Sequence, residues 1–248
     1  HFTASRIEKG PFFFTIHVKR IPKTMIERLA EIRTCAELIE RINDIGFLPL
    51  LRMGCTGWSA EEQTINECGY QRLPEGGWEW PLWEWKGPAI RESGCAYGKF
   101  FAGKAGFISR EWWPDFCNWR RSRFPRPDDN SIEAMIFETL QENGSLITRK
   151  LRAACGFNAT NMRGRFDTFL SHLENGGYIV TEDFVYPHDK HGRPYGWGWA
   201  LLTTPERLFG TEACRPKCTP EESYQRMAAH FLKMFPYADE NFLNHILK

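Results

Sequence analysis

The stretch from Ser131 to Thr203 constrains this chain most, because three helical patterns and two strand patterns follow one another there with short breaks. Asn130 and Glu133 stand three apart ahead of an apolar run, a spacing that resembles a capping box. Ile132, Met135, Ile136 and Leu140 then recur at helical spacing, and Gly144 can end that helix. A second helix fits Thr148 to Cys155, with Thr148 as N-cap and Gly156 as terminator. The third runs from Ala159 to Glu174, where Met162, Phe166, Phe169, Leu170 and Leu173 make one apolar stripe. Tyr178 to Tyr186 is rich in β-branched and aromatic residues and predicts a strand. The polar run Pro187 to Pro194 suits an exposed turn, and Tyr195 to Thr203 predicts the returning strand.

That order is the order of a winged helix, a small module that most often binds DNA. Away from the apolar stripe, the third helix carries Asn161, Gly164, Thr168 and Ser171, flanked by Arg163 and Arg165. Amide and hydroxyl side chains read base edges in a major groove, and arginine pairs with phosphate or guanine. Gly164 would let another backbone approach closely. His188, Lys190, His191 and Arg193 in the turn are apt for phosphates beside the helix. The plainer reading is a solvated face of an amphipathic helix, or a module that docks protein. Positive groups on both helix and turn favour DNA.

Charge distribution says more than the formal net of +1. Nine Lys/Arg stand against three acids from Lys86 to Arg126, whereas Asp128 to Glu142 carries five acids and no base. A basic segment beside a candidate DNA-binding module is an electrostatic footprint for a polyanion. Alternatively the two blocks neutralise each other in the fold. Within the basic segment, Ser109 can cap a helix to Arg123 that holds Trp112, Trp113, Phe116 and Trp119 and ends in Arg120, Arg121 and Arg123. Cations suit a helix C-terminus, and they also suit phosphate.

The 248 residues divide by pattern into three parts: 1–125, helical and β with many aromatics; 126–210, the winged helix; and 211–248, helices packing onto the rest. The fold class expected is α+β, predominantly α, a winged-helix domain on an aromatic-rich N-terminal platform. In the first part, Phe12–Val18 predicts a strand, Thr24–Arg33 a helix, Thr34–Glu37 a capping box opening a helix to Asp44, and Phe47–Leu51 a short strand. Trp78/Trp80 and Trp83/Trp85 alternate as on a strand face, with Pro81 breaking the run. Such a row is either a stacking platform for bases or a bulky core surface. Eight scattered cysteines, of which only Cys214 and Cys218 lie close, read as free thiols of a reducing cytoplasm. No cofactor or metal site is read from the sequence. No apolar run is long enough to span a membrane.

A family resemblance rests on Phe100-Phe101-Ala102-Gly103-Lys104-Ala105-Gly106-Phe107-Ile108-Ser109, then Trp112-Trp113-Pro114 and Asn118-Trp119-Arg120. This run resembles a stretch of the AlkZ (YcaQ) family, bacterial DNA glycosylases built from winged-helix units. The resemblance covers about Gly46 to Gly210 and is that of a distant AlkZ-related protein. It implies DNA as partner, damaged duplex included, and a role in DNA repair. The family's catalytic signature is a Gln–apolar–Gln or Gln–apolar–Asp triplet on a strand after a glycine. The corresponding run here is Gly46-Phe47-Leu48-Pro49-Leu50-Leu51, so Pro49 and Leu51 stand where the polar residues are expected. Neither can position water or stabilise an oxocarbenium-like sugar.

The expected function is therefore DNA binding without the family's standard chemistry. An active glycosylase excising alkylated bases, or a module docking a protein or flat ligand, are the alternatives. If chemistry is present, Glu61 and Glu62 are the carboxylates nearest in sequence that could act on water, although a helix start explains them more simply. The DNA-contacting residues expected are Asn161, Arg163, Gly164, Arg165, Thr168, Lys190, Arg193, Arg120, Arg121 and Arg123. No phosphate-cradling loop, dinucleotide fingerprint, nucleophile elbow or zinc-protease helix is present.

Overall fold

A computed structural model describes residues 32–159, 163–192 and 196–247. The strand expected over Phe12–Val18 and the greater part of the Thr24–Arg33 helix lie outside these residues. The described chain is a mixed α+β structure, about half helical, with small antiparallel sheets gathered around two apolar cores. None of its helices is long and apolar enough to cross a membrane.

The first core begins with helix α1 (Cys35–Ile45), capped by Thr34, whose hydroxyl accepts from the Glu37 amide. Leu38, Ile42 and Ile45 face inward at helical spacing, and Gly46 (φ 79°) ends the helix hard against the Trp112 ring, where a Cβ would collide. Strand β1 (Phe47–Pro49) then pairs with β5 (Lys104–Ile108), which pairs with β4 (Ala96–Phe101), giving a sheet of order β1-β5-β4. Pro49 is tolerated because β1 is an edge strand. Ala102 and Gly103, both at positive φ, make the two-residue turn that right-twisted hairpin strands favour.

Between β1 and β4 lie α2 (Ala60–Gln63), a hairpin of β2 (Gln71–Arg72) and β3 (Trp78–Glu79), α3 (Pro81–Glu84) and α4 (Lys86–Ser93). Here the structure corrects the alternating-strand expectation for the tryptophans. Pro81 opens a helix instead of interrupting a strand, since its missing N–H is not needed in a first turn, and Trp83 rides on that helix. Helix α5 (Trp113–Arg123) starts four residues later than Ser109, with Pro114 in its first turn and Ser109 buried ahead of it.

The second core holds α6 (Ile132–Asn143), β6 (Leu146–Ile147), α7 (Thr148–Ala154), α8 (Arg163–Asn175), β7 (Val180–Val185) and β8 (Trp199–Thr203), with sheet order β6-β8-β7. Ser131, not Asn130, caps α6 by accepting from the Ala134 amide at 3.0 Å. Thr148 is the first helical residue of α7, and its hydroxyl reaches the Ala200 carbonyl instead of capping. Phe166, Leu170 and Leu173 of α8 are buried, as the apolar stripe requires. Helices α9 (Pro205–Phe209), α10 (Pro220–Met234) and α11 (Glu240–Ile246) return to the first core. There Trp58, fully buried, meets Phe101, Phe231 and Phe242 edge-on at 5.1–5.6 Å. Truncating a tryptophan so placed costs about 3–5 kcal/mol.

Candidate nucleic-acid interface

Much of the basic segment is engaged by other parts of the protein. Arg91 pairs with Asp183 of β7, Lys99 of β4 with Glu174 of α8 (3.8 Å), and Arg121 of α5 with Glu206 of α9 (2.6 Å). Lys86 is buried, and Arg110 donates to the Phe209 carbonyl. Arg120 is 1% exposed, and its guanidinium donates to the carbonyls of Phe100 and Ile246. Arg120 and Arg121, expected from the sequence at a DNA surface, are thus held by acceptors within the protein. Burying a guanidinium costs heavily unless its donors are satisfied, and protein acceptors already satisfy much of both. Nor do the partners come from Asp128–Glu142; they come from α8, β7 and α9. Arg91, Lys104, Arg110, Arg123 and Arg126 are exposed, Arg91 and Arg110 while held by Asp183 and the Phe209 carbonyl.

Helix α8 shows three faces at 100° per residue. Phe166, Leu170 and Leu173 enter the second core. Ser171 and Glu174 turn to β4, where Lys99 Nζ lies 3.4 Å from the Ser171 hydroxyl. Burial raises the Glu174 carboxyl to about 7, against the opposing pull of Lys99. The third face, Arg165, Thr168 and His172, is exposed. Thr168 donates to the Gly164 carbonyl at 3.1 Å, and nothing lies within 4 Å of a Cβ built on Gly164. Among the described residues no other backbone approaches that glycine. Arg163 begins the helix, while Asn161 and Arg193 lie outside the described residues. Lys190, His188 and His191 are exposed in the β7–β8 connection.

At its far end the open face of α8 enters a cleft of about 410 Å³. His172 lines it from α8, Arg123 and Arg126 from the end of α5 and the linker, and Tyr178, Phe124 and Pro127 supply apolar wall. Asp128 and Glu133 line it too, with Glu133 3.5 Å from His172. Arg123 is exposed, with its guanidinium carbon 5.5 Å from the Trp119 ring centroid. Sequence reading singled out Arg123 but missed His172. Its spacing of four from Thr168 was the available signal; the face expected from the sequence ran through Ser171, which the fold turns to Lys99.

A ladder of rings joins the β2–β3 hairpin to the β7–β8 connection. Tyr70 stacks towards Trp78 (6.3 Å, 25°) and Trp78 lies flat on Trp197 (4.3 Å, 10°). Trp80 and Trp83 meet Trp197 edge-on, and Trp83 Nε1 donates to the Trp197 carbonyl at 3.2 Å. Lys86 closes the base of the ladder, its Nζ 3.0 Å from the Trp83 centroid and 4.1 Å from that of Phe184. Its side chain has no carboxylate partner among the described residues, and burial lowers its pKa to about 6.

Pro49 is buried in β1 opposite Gly106, and Leu51 is 37% exposed just beyond the strand. Both nearby carboxylates have structural work. Glu62 completes a reciprocal capping box with Ser59 and pairs with Arg52 (3.3 Å), while Glu61 accepts from the Arg52 amide at 2.9 Å. Together they tie the turn after Leu51 to α2. Among the described residues no group of three or more His, Cys, Asp or Glu is placed to hold a metal ion. Cys214 accepts from Trp113 Nε1, and Cys218 sits beside Asp115 and Ser223.

The model of the family described as AlkZ related matches residues 32–248. The chain belongs to the AlkZ-related family. That match takes in both cores, the ring ladder and the open face of α8. No curated protein and no solved structure shows a significant match to the chain.

Proposed function

We propose that this AlkZ-related protein is a DNA-binding protein of the DNA-repair type that does not carry out AlkZ-style base excision. The observation that carries the reading is the continuity of one exposed face: Arg165, Thr168 and His172 run along α8 into the cleft that Arg123 and Arg126 line. A duplex laid on that face meets polar side chains at its base edges and guanidinium groups at its phosphates. The order helix, strand, helix, helix, strand, strand from α6 to β8 supports reading residues 126–210 as a winged helix with α8 as recognition helix. Residues 1–125 then form the platform, and residues 211–248 close it. Arg163, Gly164, Lys190, Asn161 and Arg193 complete the proposed contact set; Arg120 and Arg121 do not belong to it. We place the protein in the cytoplasm, with duplex DNA, damaged or intact, as partner.

The absence of excision rests on the strand after Gly46. Aligned with the AlkZ triplet, Pro49 and Leu51 offer no group to bind water, and Glu61 and Glu62 are engaged by Arg52 and Ser59. The test is a base-release assay on alkylated and intact duplex, run beside equilibrium binding on the same oligonucleotides. Bound duplex without free base is the expected result. Free base released at a rate that scales with enzyme contradicts the proposal.

A further inference from the structure

We infer that Trp197 is a preformed stacking platform for an unpaired base, so that DNA with an extrahelical or single-stranded nucleotide is preferred over fully paired duplex. The inference rests on the DNA-binding reading and names the kind of DNA. Trp197 is held by three rings: Trp78 stacks on it at 4.3 Å, Trp80 and Trp83 meet it at near right angles, and Trp83 Nε1 donates to its carbonyl. Even so, 49% of the residue stays exposed. A clamp between hairpin and connection would bury this ring. An indole stacked by one neighbour and still half exposed leaves ring surface open to a ligand, already immobilised. Holding it so removes ordering cost at the moment of binding.

Cations beside the next exposed ring point to the occupant. Two residues along, Trp199 is 39% exposed and carries Arg149, whose guanidinium carbon lies 5.4 Å from the ring centroid. Arg149 and Lys150 are both exposed on the first turn of α7, with no acid in that turn. Exposed rings beside cations match a strand of bases joined by phosphates better than an apolar peptide. A paired base has both faces covered by its neighbours; an unpaired one offers a face.

The experiment compares a matched duplex with the same duplex carrying a single-nucleotide bulge, by fluorescence anisotropy. Wild type binds the bulged duplex about tenfold more tightly. Trp197→Ala brings the ratio of the two affinities to about one, and Trp197→Phe, which keeps a ring, retains most of it. Circular dichroism and a melting curve establish that each variant is folded. Tryptophan emission of the unaltered protein, quenched more by bulged than by matched duplex, is the readout that needs no variant. Equal affinity for both duplexes overturns this inference while leaving the DNA-binding proposal standing. Binding to neither overturns both.

Discussion

Arg121 of α5 and Glu206 of α9 form an ion pair, Nη2 to Oε1 at 2.6 Å, and the same guanidinium donates to the Gly177 carbonyl at 3.0 Å. One side chain thereby ties the end of α5 to the turn after α8 and to the helix that leads back to the first core. Two residues on, Arg123 points into a cleft open to solvent. Three arginines on one helix end thus have separate tasks: Arg120 seals a core, Arg121 joins two parts, and Arg123 faces outward.

This division predicts opposite consequences for neighbours. Arg121→Ala leaves the half-buried Glu206 carboxylate without its partner and lowers stability by about 1–2 kcal/mol. Arg120→Ala strands two buried carbonyls and costs at least as much. Arg123→Ala leaves unfolding within about 0.5 kcal/mol of wild type and weakens duplex binding. Urea denaturation and anisotropy on the three variants separate these outcomes; loss of DNA affinity without loss of stability in Arg121→Ala would contradict the assignment.

The exposed stripe of α8 predicts an electrostatic signature. Arg165→Ala lowers affinity at low salt and reduces the slope of log affinity against log salt by about one. Thr168→Ala, where a hydroxyl and not a charge is removed, leaves that slope unchanged. The check is a titration series at several salt concentrations. Equal slopes for Arg165→Ala and wild type would remove α8 from the interface.

How much of this was legible in the sequence depends on range. Local devices were readable: Thr34 and Ser59 cap their helices as their spacing from Glu37 and Glu62 suggests, and Gly144 stands at the end of α6. One-residue errors, such as Asn130 for Ser131, arise because both residue types cap well and only the backbone decides. The fates of Arg120 and Arg121 were not legible, because their partners come from Phe100, Ile246, Gly177 and Glu206, remote in sequence. The ring ladder hid for the same reason: Trp78 and Trp197 are joined only by the fold.

Two buried groups predict the pH dependence of stability. The folded Glu174 pKa, raised to about 7 from 4.5, means the native state binds the extra proton, so stability falls as pH rises from 4.5 to about 7. The folded Lys86 pKa, lowered to about 6 from 10.5, means the unfolded chain binds the extra proton, so stability rises with pH from about 6 to 10.5. The two oppose each other between about 6 and 7. Glu174→Gln flattens the curve below 6, and Lys86→Met flattens it above 7 while raising the melting temperature near pH 7 by a few degrees. Thermal melts across this range test both; an unchanged curve above pH 7 in Lys86→Met would show that this lysine keeps its ordinary pKa.

Glu62 is predicted to matter for folding alone. Removing its carboxylate in Glu62→Ala breaks the capping box of α2 and the tie to Arg52, costing about 1 kcal/mol. Duplex affinity stays at the wild-type value. Denaturation and anisotropy on one preparation check this, and a fall in affinity with intact stability would return Glu62 to the functional site.

The central claim, that the face from Arg165 to Arg123 holds DNA through its phosphates, is tested most directly by titrating the wild-type protein onto a labelled duplex while salt rises from about 50 to about 200 mM. The account predicts measurable binding at the lower concentration that weakens steeply towards the higher. Absence of binding at about 50 mM, or binding that salt does not move, contradicts it.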